Sequence, residues 1–352
     1  MPEEIIVAQK LLLTWQRLDS FFHVPALFLT LMMPLLGTAG LTAKLTSLQL
    51  LALLCVGINI HIFAYVLNDF IDLPVDRTQP ARSNDPLVLR IIRPWQALFI
   101  SLIQLPIALA LTLLLEGNIF AILVLGLSFT FVCIYDIWGK RCFFPPLTDL
   151  AQGLSWASLA LFGAIVLRVG PPMPITWVVC AFILVFFVMS NGVHGSLKDL
   201  GNDLKHHRRT TAIFLGARPG EHGVILSLPL KLYACLLQIL LIGILLIPLT
   251  WNAFSYDRAT WYPITITAAI LVFLSLAWPL WAIKLKREKS QFVYAALLQL
   301  GLLLIALLVI CAPLLQPMVL ALLIAIYLIP LFGLRPLRQR ITRRWSKLAM
   351  RT

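Results

Sequence analysis

"SLQLLALLCVGINIHIFAYVLNDFIDLPVDR", residues 47–77, runs for some twenty largely apolar positions without a charge and then carries Asp69, Asp72 and Asp76. About 20 residues at a 1.5 Å rise cross the hydrocarbon core of a bilayer. Lipid offers the backbone no hydrogen-bond partners, so such a run has to be a helix. Comparable runs recur at 21–42, 47–67, 94–115, 118–136, 148–167, 174–195, 226–249, 261–283, 291–311 and 314–333. The chain is 60% hydrophobic with a mean hydropathy of +0.92, against about 45–50% apolar residues in soluble domains. The fold class expected is all-α, a polytopic membrane protein of nine or ten spans. "CAPLLQP", residues 311–317, leaves two readings open: a tight turn between the last two spans, or a kink in one long helix.

Several other classes are set aside at this level. The start "MPEEIIVAQKLLLTWQRLD" lacks the basic end, short apolar core and small-residue cleavage site of a signal peptide and reads as an interfacial segment. Six cysteines show no CxxC pairing and sit mostly within apolar runs, as small buried hydrophobes do. The net charge of +13 would suit a nucleic-acid partner, but its placement on loops gives a simpler account. With the amino terminus in the cytoplasm, all but Lys44, Arg168 and Arg258 of the 28 Lys and Arg fall on the cytoplasmic side. That is the positive-inside pattern. The basic tail, residues 334–352, then favours an even number of spans, and the basic excess faces lipid headgroups rather than nucleic acid.

Only 15 residues are Asp or Glu, so a cluster of three is conspicuous. A second cluster lies in "HGSLKDLGNDLKHHRRTTAIFLG", residues 194–216, where Asp199 and Asp203 stand four apart just after the sixth span. Steps of three and four put carboxylates on one helical face. The first cluster follows span 2 and the second follows span 6, so both emerge on the same side. This resembles a parallel repeat, 21–140 against 148–290, within a single domain spanning 1–352 and extended by spans at 291–333. One such cluster alone is an ordinary solvated helix flank. Two at equivalent places in a repeat point to a shared site.

Five converging carboxylates repel one another unless a cation neutralises them. Oxygen-only donors favour a hard ion, and Mg²⁺ typically combines one or two carboxylates with waters and substrate phosphate oxygens. Basic residues suited to a diphosphate lie nearby: Lys198 before Asp199, Arg77 and Arg82 after the first cluster, Lys205 to Arg209 after the second, and Lys140 and Arg141 in "YDIWGKR".

"NDFIDLPVD" matches the NDxxDxxxD motif of the UbiA superfamily of intramembrane prenyltransferases. "DLGND" resembles that family's DxxxD motif, "RRTTAIFLG" its continuation, and "YDIWGK" its Tyr-x(3–4)-Lys element. The resemblance covers the first six spans and the loop after them. It implies a bundle around a membrane-embedded cavity with a cytoplasmic cap, in which two Mg²⁺ ions bind a prenyl diphosphate. Asn68, Asp69, Asp72 and Asp76 would form one metal shell, and Asp199 and Asp203 the other. Lys140 and Lys198 would hold the diphosphate, and Tyr135 would lie beside the allylic cation. Arg17 and His23 would touch a polar acceptor, an aromatic or quinone precursor. The implied place is a bacterial inner membrane, with the site open to the cytoplasm. His207 departs from the pattern, standing where many members carry Gly or Asp.

Aromatic faces can stabilise a cation, and Phe21, Phe22, Phe63, Tyr65 and Trp156 are candidates beside ordinary packing. Two other activities compete. A UbiA-type terpene cyclase would use the same metals without an acceptor. A transporter would place its acids near span centres, whereas these lie at span ends. The DGxxAR motif of the CDP-alcohol phosphotransferases is missing.

Overall fold

The computed structural model describes residues 14, 17–79, 82–167, 171–220, 223–251, 257–281 and 289–330. The basic tail, and most of the amino-terminal segment, lie outside these residues.

Helix α1 (Val24–Gly37) has a proline as its second residue, whose missing N–H costs nothing in a first turn. Helix α2 (Ser47–Asp76) begins with a capping box: Thr46 Oγ1 accepts from Gln49 N at 3.2 Å, and Gln49 Oε1 accepts from Thr46 N at 2.9 Å. It does not stop at residue 67, where the apolar run ends. It continues through Pro74 and carries the three aspartates on its last turns. Helix α3 (Pro94–Leu114) is interrupted at Ile103, between Pro94–Leu102 and Gln104–Leu114. Pro106 is the cause, because it has no N–H to return to the Leu102 carbonyl.

Helix α4 (Ile119–Trp138) is capped by Asn118 Oδ1, which accepts from Ala121 N at 3.0 Å. It packs on α5 (Pro145–Ile165) through a reciprocal pair: Ser128 Oγ donates to Ser155 O and Ser155 Oγ to Ser128 O, each at 2.9 Å. Small hydroxyl residues are the usual glue between helices in lipid. Glycine plays the same part between α1 and α5. A Cβ on Gly163 would stand 1.9 Å from the Pro34 carbonyl oxygen, so the two backbones touch there.

Helix α6 (Pro174–Met189) widens into a π-helical turn, Ser190–Gly195, and closes with Ser196–Lys198. A cap follows, made of α7 (Leu200–Lys205), α8 (Thr211–Phe214) and an antiparallel hairpin of β1 (Arg218–Gly220) and β2 (Gly223–Ile225). The chain ends in α9 (Leu228–Thr250), α10 (Arg258–Trp281), α11 (Lys289–Cys311) and α12 (Pro317–Leu328). "CAPLLQP" is a tight turn: Ala312–Leu314 is 3₁₀, Leu315 and Gln316 are extended, and Tyr327 Oη reaches back to Gly301 O at 3.3 Å.

Consecutive helices pack from α1 to α6, α6 packs on α9, α9 on α10 and α10 on α11, and α12 returns to α1. The closure is fastened where Leu45 N donates to Gln316 Oε1 at 3.0 Å. Among the described residues five helices are long and apolar enough to cross a membrane by length and composition: α2, α3, α4, the α6 segment Pro174–Lys198, and α9. The α2 and α6 windows are 67% buried, those of α3 and α4 only 28%. Trp95, Phe99, Leu113, Leu114 and Phe120 lie exposed on or beside the outer pair, where water would penalise them and lipid would not. This is an integral membrane protein with α2 and α6 at its centre, and their ends are where the acids lie.

Candidate active site

The last turns of α2 bury Asp69, Asp72 and Asp76, each less than a tenth exposed. Ionised side chains tolerate such burial only when paired. Asp69 Oδ2 meets His23 Nε2 at 2.8 Å, and Asp69 Oδ1 faces the Arg82 guanidinium at 3.6 Å. Arg82 also meets Asp85 at 3.6 Å, and Asp85 accepts from Ser20 Oγ at 3.0 Å, tying the loop after α2 to the segment before α1. Asp72 Oδ2 accepts from Lys140 Nζ at 2.7 Å, and its Oδ1 lies 3.7 Å from Arg208.

Lys140 follows the end of α4, and Arg208 lies between α7 and α8. Their loops are joined where Arg209 N donates to Lys140 O at 3.0 Å. A further clasp links Thr78 Oγ1 and His206 Nε2 at 2.7 Å. Through these contacts the second acidic pair is brought to the first. Burial opposes the Lys140 charge, but Asp72, Asp203 and Asp199 outweigh it and hold the ammonium above its ordinary pKa. Arg82 lies in the field of Asp69 and Asp199 alike.

Asp203 is 2% exposed. Burial pushes its carboxyl up to about 6; Asp199 and Asp72 add to the rise, while Lys140 and Arg208 oppose it. The folded pKa therefore exceeds the unfolded value near 3.9, so the native state loses stability as pH rises from about 4 through 6. Asp203→Asn is expected to raise the melting temperature of the protein in EDTA at pH 7.5, by a gain on the order of 2–3 kcal/mol. The gain should fade near pH 4. Thermal unfolding in detergent measures it, and an equal shift at both pH values would refute the assignment.

The other sequence-derived residues divide. Asn68 donates through Nδ2 to Asp136 Oδ1 at 3.2 Å. Tyr135 stands in the field of Asp149, Asp136 and Asp72. Lys198 is 53% exposed, and its one ion pair among the described residues is with its neighbour Asp199, at 3.8 Å. Arg77 is exposed at the α2 terminus, and neither it nor Arg17 makes an ion pair among the described residues. Phe21, Phe63 and Trp156 are sealed in the core. Tyr65 lies between the rings of His23 and His61, at 4.9 and 4.4 Å. Sequence reasoning passed over Asp136, which sits inside "YDIWGK" as a carboxylate in the last turns of an apolar run, and it named Arg208 only as one cation of the run Lys205 to Arg209.

Among the described residues no three His, Cys, Asp or Glu side chains are gathered closely enough to hold an ion by themselves. The donor chemistry nonetheless fits Mg²⁺. The donors are all oxygens, Asp69 Oδ1 is buried without a hydrogen bond, and Mg²⁺ needs only one or two carboxylates when phosphate oxygens complete its shell.

A model of the UbiA prenyltransferase family matches residues 26–298. The chain belongs to the UbiA prenyltransferase family. It is accordingly a prenyltransferase. The match takes in every helix from α1 to α10 and the first turns of α11. Solved structures agree in fold. A UbiA homologue from Archaeoglobus fulgidus bound to DMAPP and Mg²⁺ is 15% identical, covers 83% of this chain and 99% of its own, and gives a TM-score of 0.60. A digeranylgeranylglyceryl phosphate synthase is 19% identical, over 85% of this chain and 100% of its own, at 0.59. The apo form of a UbiA homologue from Aeropyrum pernix K1 is 16% identical, over 84% and 96%, at 0.57. No curated protein matches the sequence.

Proposed function

We propose that this UbiA-family enzyme transfers an isoprenyl group from a prenyl diphosphate to a small aromatic or quinone-precursor acceptor within the membrane. The observation that carries the reading is Lys140: one ammonium, 2.7 Å from Asp72 and in the field of Asp203 and Asp199, joins two acidic clusters 130 residues apart in the chain. UbiA homologues of the same fold are bound to GPP and Mg²⁺ and to DMAPP and Mg²⁺.

Asn68, Asp69, Asp72 and Asp76 would hold one Mg²⁺ and Asp199 and Asp203 a second. When bound, the ions neutralise the charge that the leaving diphosphate develops. Lys140, Arg82 and Arg208 bind the diphosphate oxygens, turning from the carboxylates they now neutralise. Lys198 and Arg77 add positive charge at the rim. Tyr135 presents its ring to the allylic carbon, and the apolar bundle keeps water from that carbon. The charge asymmetry of the loops supports ten spans and a site open to the cytoplasm, and the membrane proposed is a bacterial inner membrane. A repeat of 21–140 in 148–290 would make α2 and α6 counterparts.

The test is incubation of purified enzyme with DMAPP, GPP and longer prenyl diphosphates, with and without aromatic acceptors, read by mass spectrometry. A prenylated acceptor formed only with Mg²⁺ is expected. A cyclised hydrocarbon from the diphosphate alone would replace the transferase reading with a cyclase.

A further inference from the structure

Asp149 is a buried acid early in α5 that the diphosphate chemistry does not use. It makes no ion pair among the described residues. Its Oδ2 instead accepts from the hydroxyl of Thr211, itself 1% exposed, at the start of α8. The same oxygen fills the space beside Gly192, where a Cβ would stand 2.7 Å from it. The pairing with Thr211 does not depend on the charge of Asp149, because a carboxyl oxygen accepts from a hydroxyl in either protonation state. One buried side chain thus touches the cap and the π-helical turn of α6 at once.

Residues 206–211 run as a strap beside the site and are fastened at intervals. His206 meets Thr78 beyond the end of α2, Arg209 N donates to Lys140 O beyond the end of α4, and Thr211 is fixed to α5 through Asp149. Thr210, between the last two fastenings, is extended. Arg208 rides on this strap, with its guanidinium 3.7 Å from Asp72 Oδ1. A long side chain holds an anion well only when the backbone that carries it is already fixed, since ordering it costs entropy. We propose that Asp149 is a positioning residue: by gripping Thr211 beside the π-helical turn it holds the strap down, and so sets where the Arg208 guanidinium stands in the diphosphate site. The inference rests on the reading of Arg208 as a diphosphate ligand, and extends it to a residue that touches neither substrate nor metal.

The experiment uses purified enzyme in detergent with Mg²⁺ and inorganic diphosphate as the probe, affinity being read by isothermal titration calorimetry and folding by thermal unfolding. Arg208→Ala is expected to weaken diphosphate binding about 10–100-fold, as loss of hydrogen bonds from a charged donor does. Asp149→Ala should weaken it about tenfold, the low end of what a group that orients a binding residue is worth. In the Arg208→Ala background Asp149→Ala should weaken binding no further, since the two act on one contact. Its effect on the melting temperature should be the same in both backgrounds. Asp149→Asn keeps an oxygen for Thr211 and should restore most of the affinity. Thr211→Val is read in place of Asp149→Ala if the latter does not fold. Unchanged diphosphate affinity with a lower melting temperature would leave Asp149 a purely structural role and overturn the inference. A loss that adds in full to that of Arg208→Ala, or one that Asp149→Asn shares, would overturn it too. Arg208→Ala at wild-type affinity would instead overturn the reading of Arg208 as a diphosphate ligand, and so the two failures are told apart.

Discussion

Asp72→Asn is expected to slow diphosphate release by about 10²–10³, the usual cost of one electrostatic contact to a charge that develops in the transition state. Asp72 is shared by two cations, with Lys140 at 2.7 Å on one oxygen and Arg208 at 3.7 Å on the other. It also stands in the field of Asp203 from the second cluster. Replacing it with an amide keeps the shape and withdraws the charge, so Lys140 and Arg208 lose their common anchor, and a Mg²⁺ held as proposed would lose a ligand charge. Glu116→Gln is the control: Glu116 is exposed just before α4, a helix-length of about 30 Å from the site end. Turnover is followed as diphosphate release in nanodiscs, with Mg²⁺ titrated and EDTA as the blank. A folded Asp72→Asn enzyme with wild-type turnover, or activity indifferent to EDTA, would reduce the acids to solvated flanks.

The second large effect is on the fold. Gly163→Val places a branched Cβ where the Pro34 carbonyl oxygen is 1.9 Å away, against backbone rather than a side chain that could turn aside. Helices α1 and α5 must then separate. Overpacking of this kind costs about 1–3 kcal/mol and sometimes more. The expected readout is a markedly lower melting temperature in detergent, or loss of a monodisperse peak on gel filtration. Gly126→Ala on α4, whose added Cβ meets nothing within 4 Å, should be neutral. Equal melting temperatures for the two variants would contradict the close approach of α1 and α5.

The helices were legible because lipid imposes a length. Each apolar run in the sequence has a helix over it, from α1 at Val24–Gly37 to α12 at Pro317–Leu328. The acids were legible because carboxylates are rare in so apolar a chain. What could not be read is what depends on partners distant in sequence. Polarity suggests that span 2 ends at residue 67, yet α2 runs to Asp76, since Lys140, Arg82 and Arg208 neutralise turns that alone look solvated. Lys198 stood out by adjacency to Asp199 but faces outward, whereas Arg208 reaches Asp72 across 136 positions. The two-way hydrogen bonding of Ser128 and Ser155 leaves no trace in either run.

The wide turn at Ser190–Gly195 has a consequence for how the enzyme can change over time. Such a turn behaves as one residue spliced into an α-helix, and each residue in a helix advances the direction of everything after it by about 100°. The stretch Pro174–Met189 meets its neighbours before the splice, and Asp199 and Asp203 are aimed after it. Loss of a single residue from "SNGVHG" would swing the acids away from Lys140 while leaving every earlier contact of α6 where it was. Packing and aim are thus inherited separately along one segment, and the reactive end can be re-pointed without rebuilding the bundle.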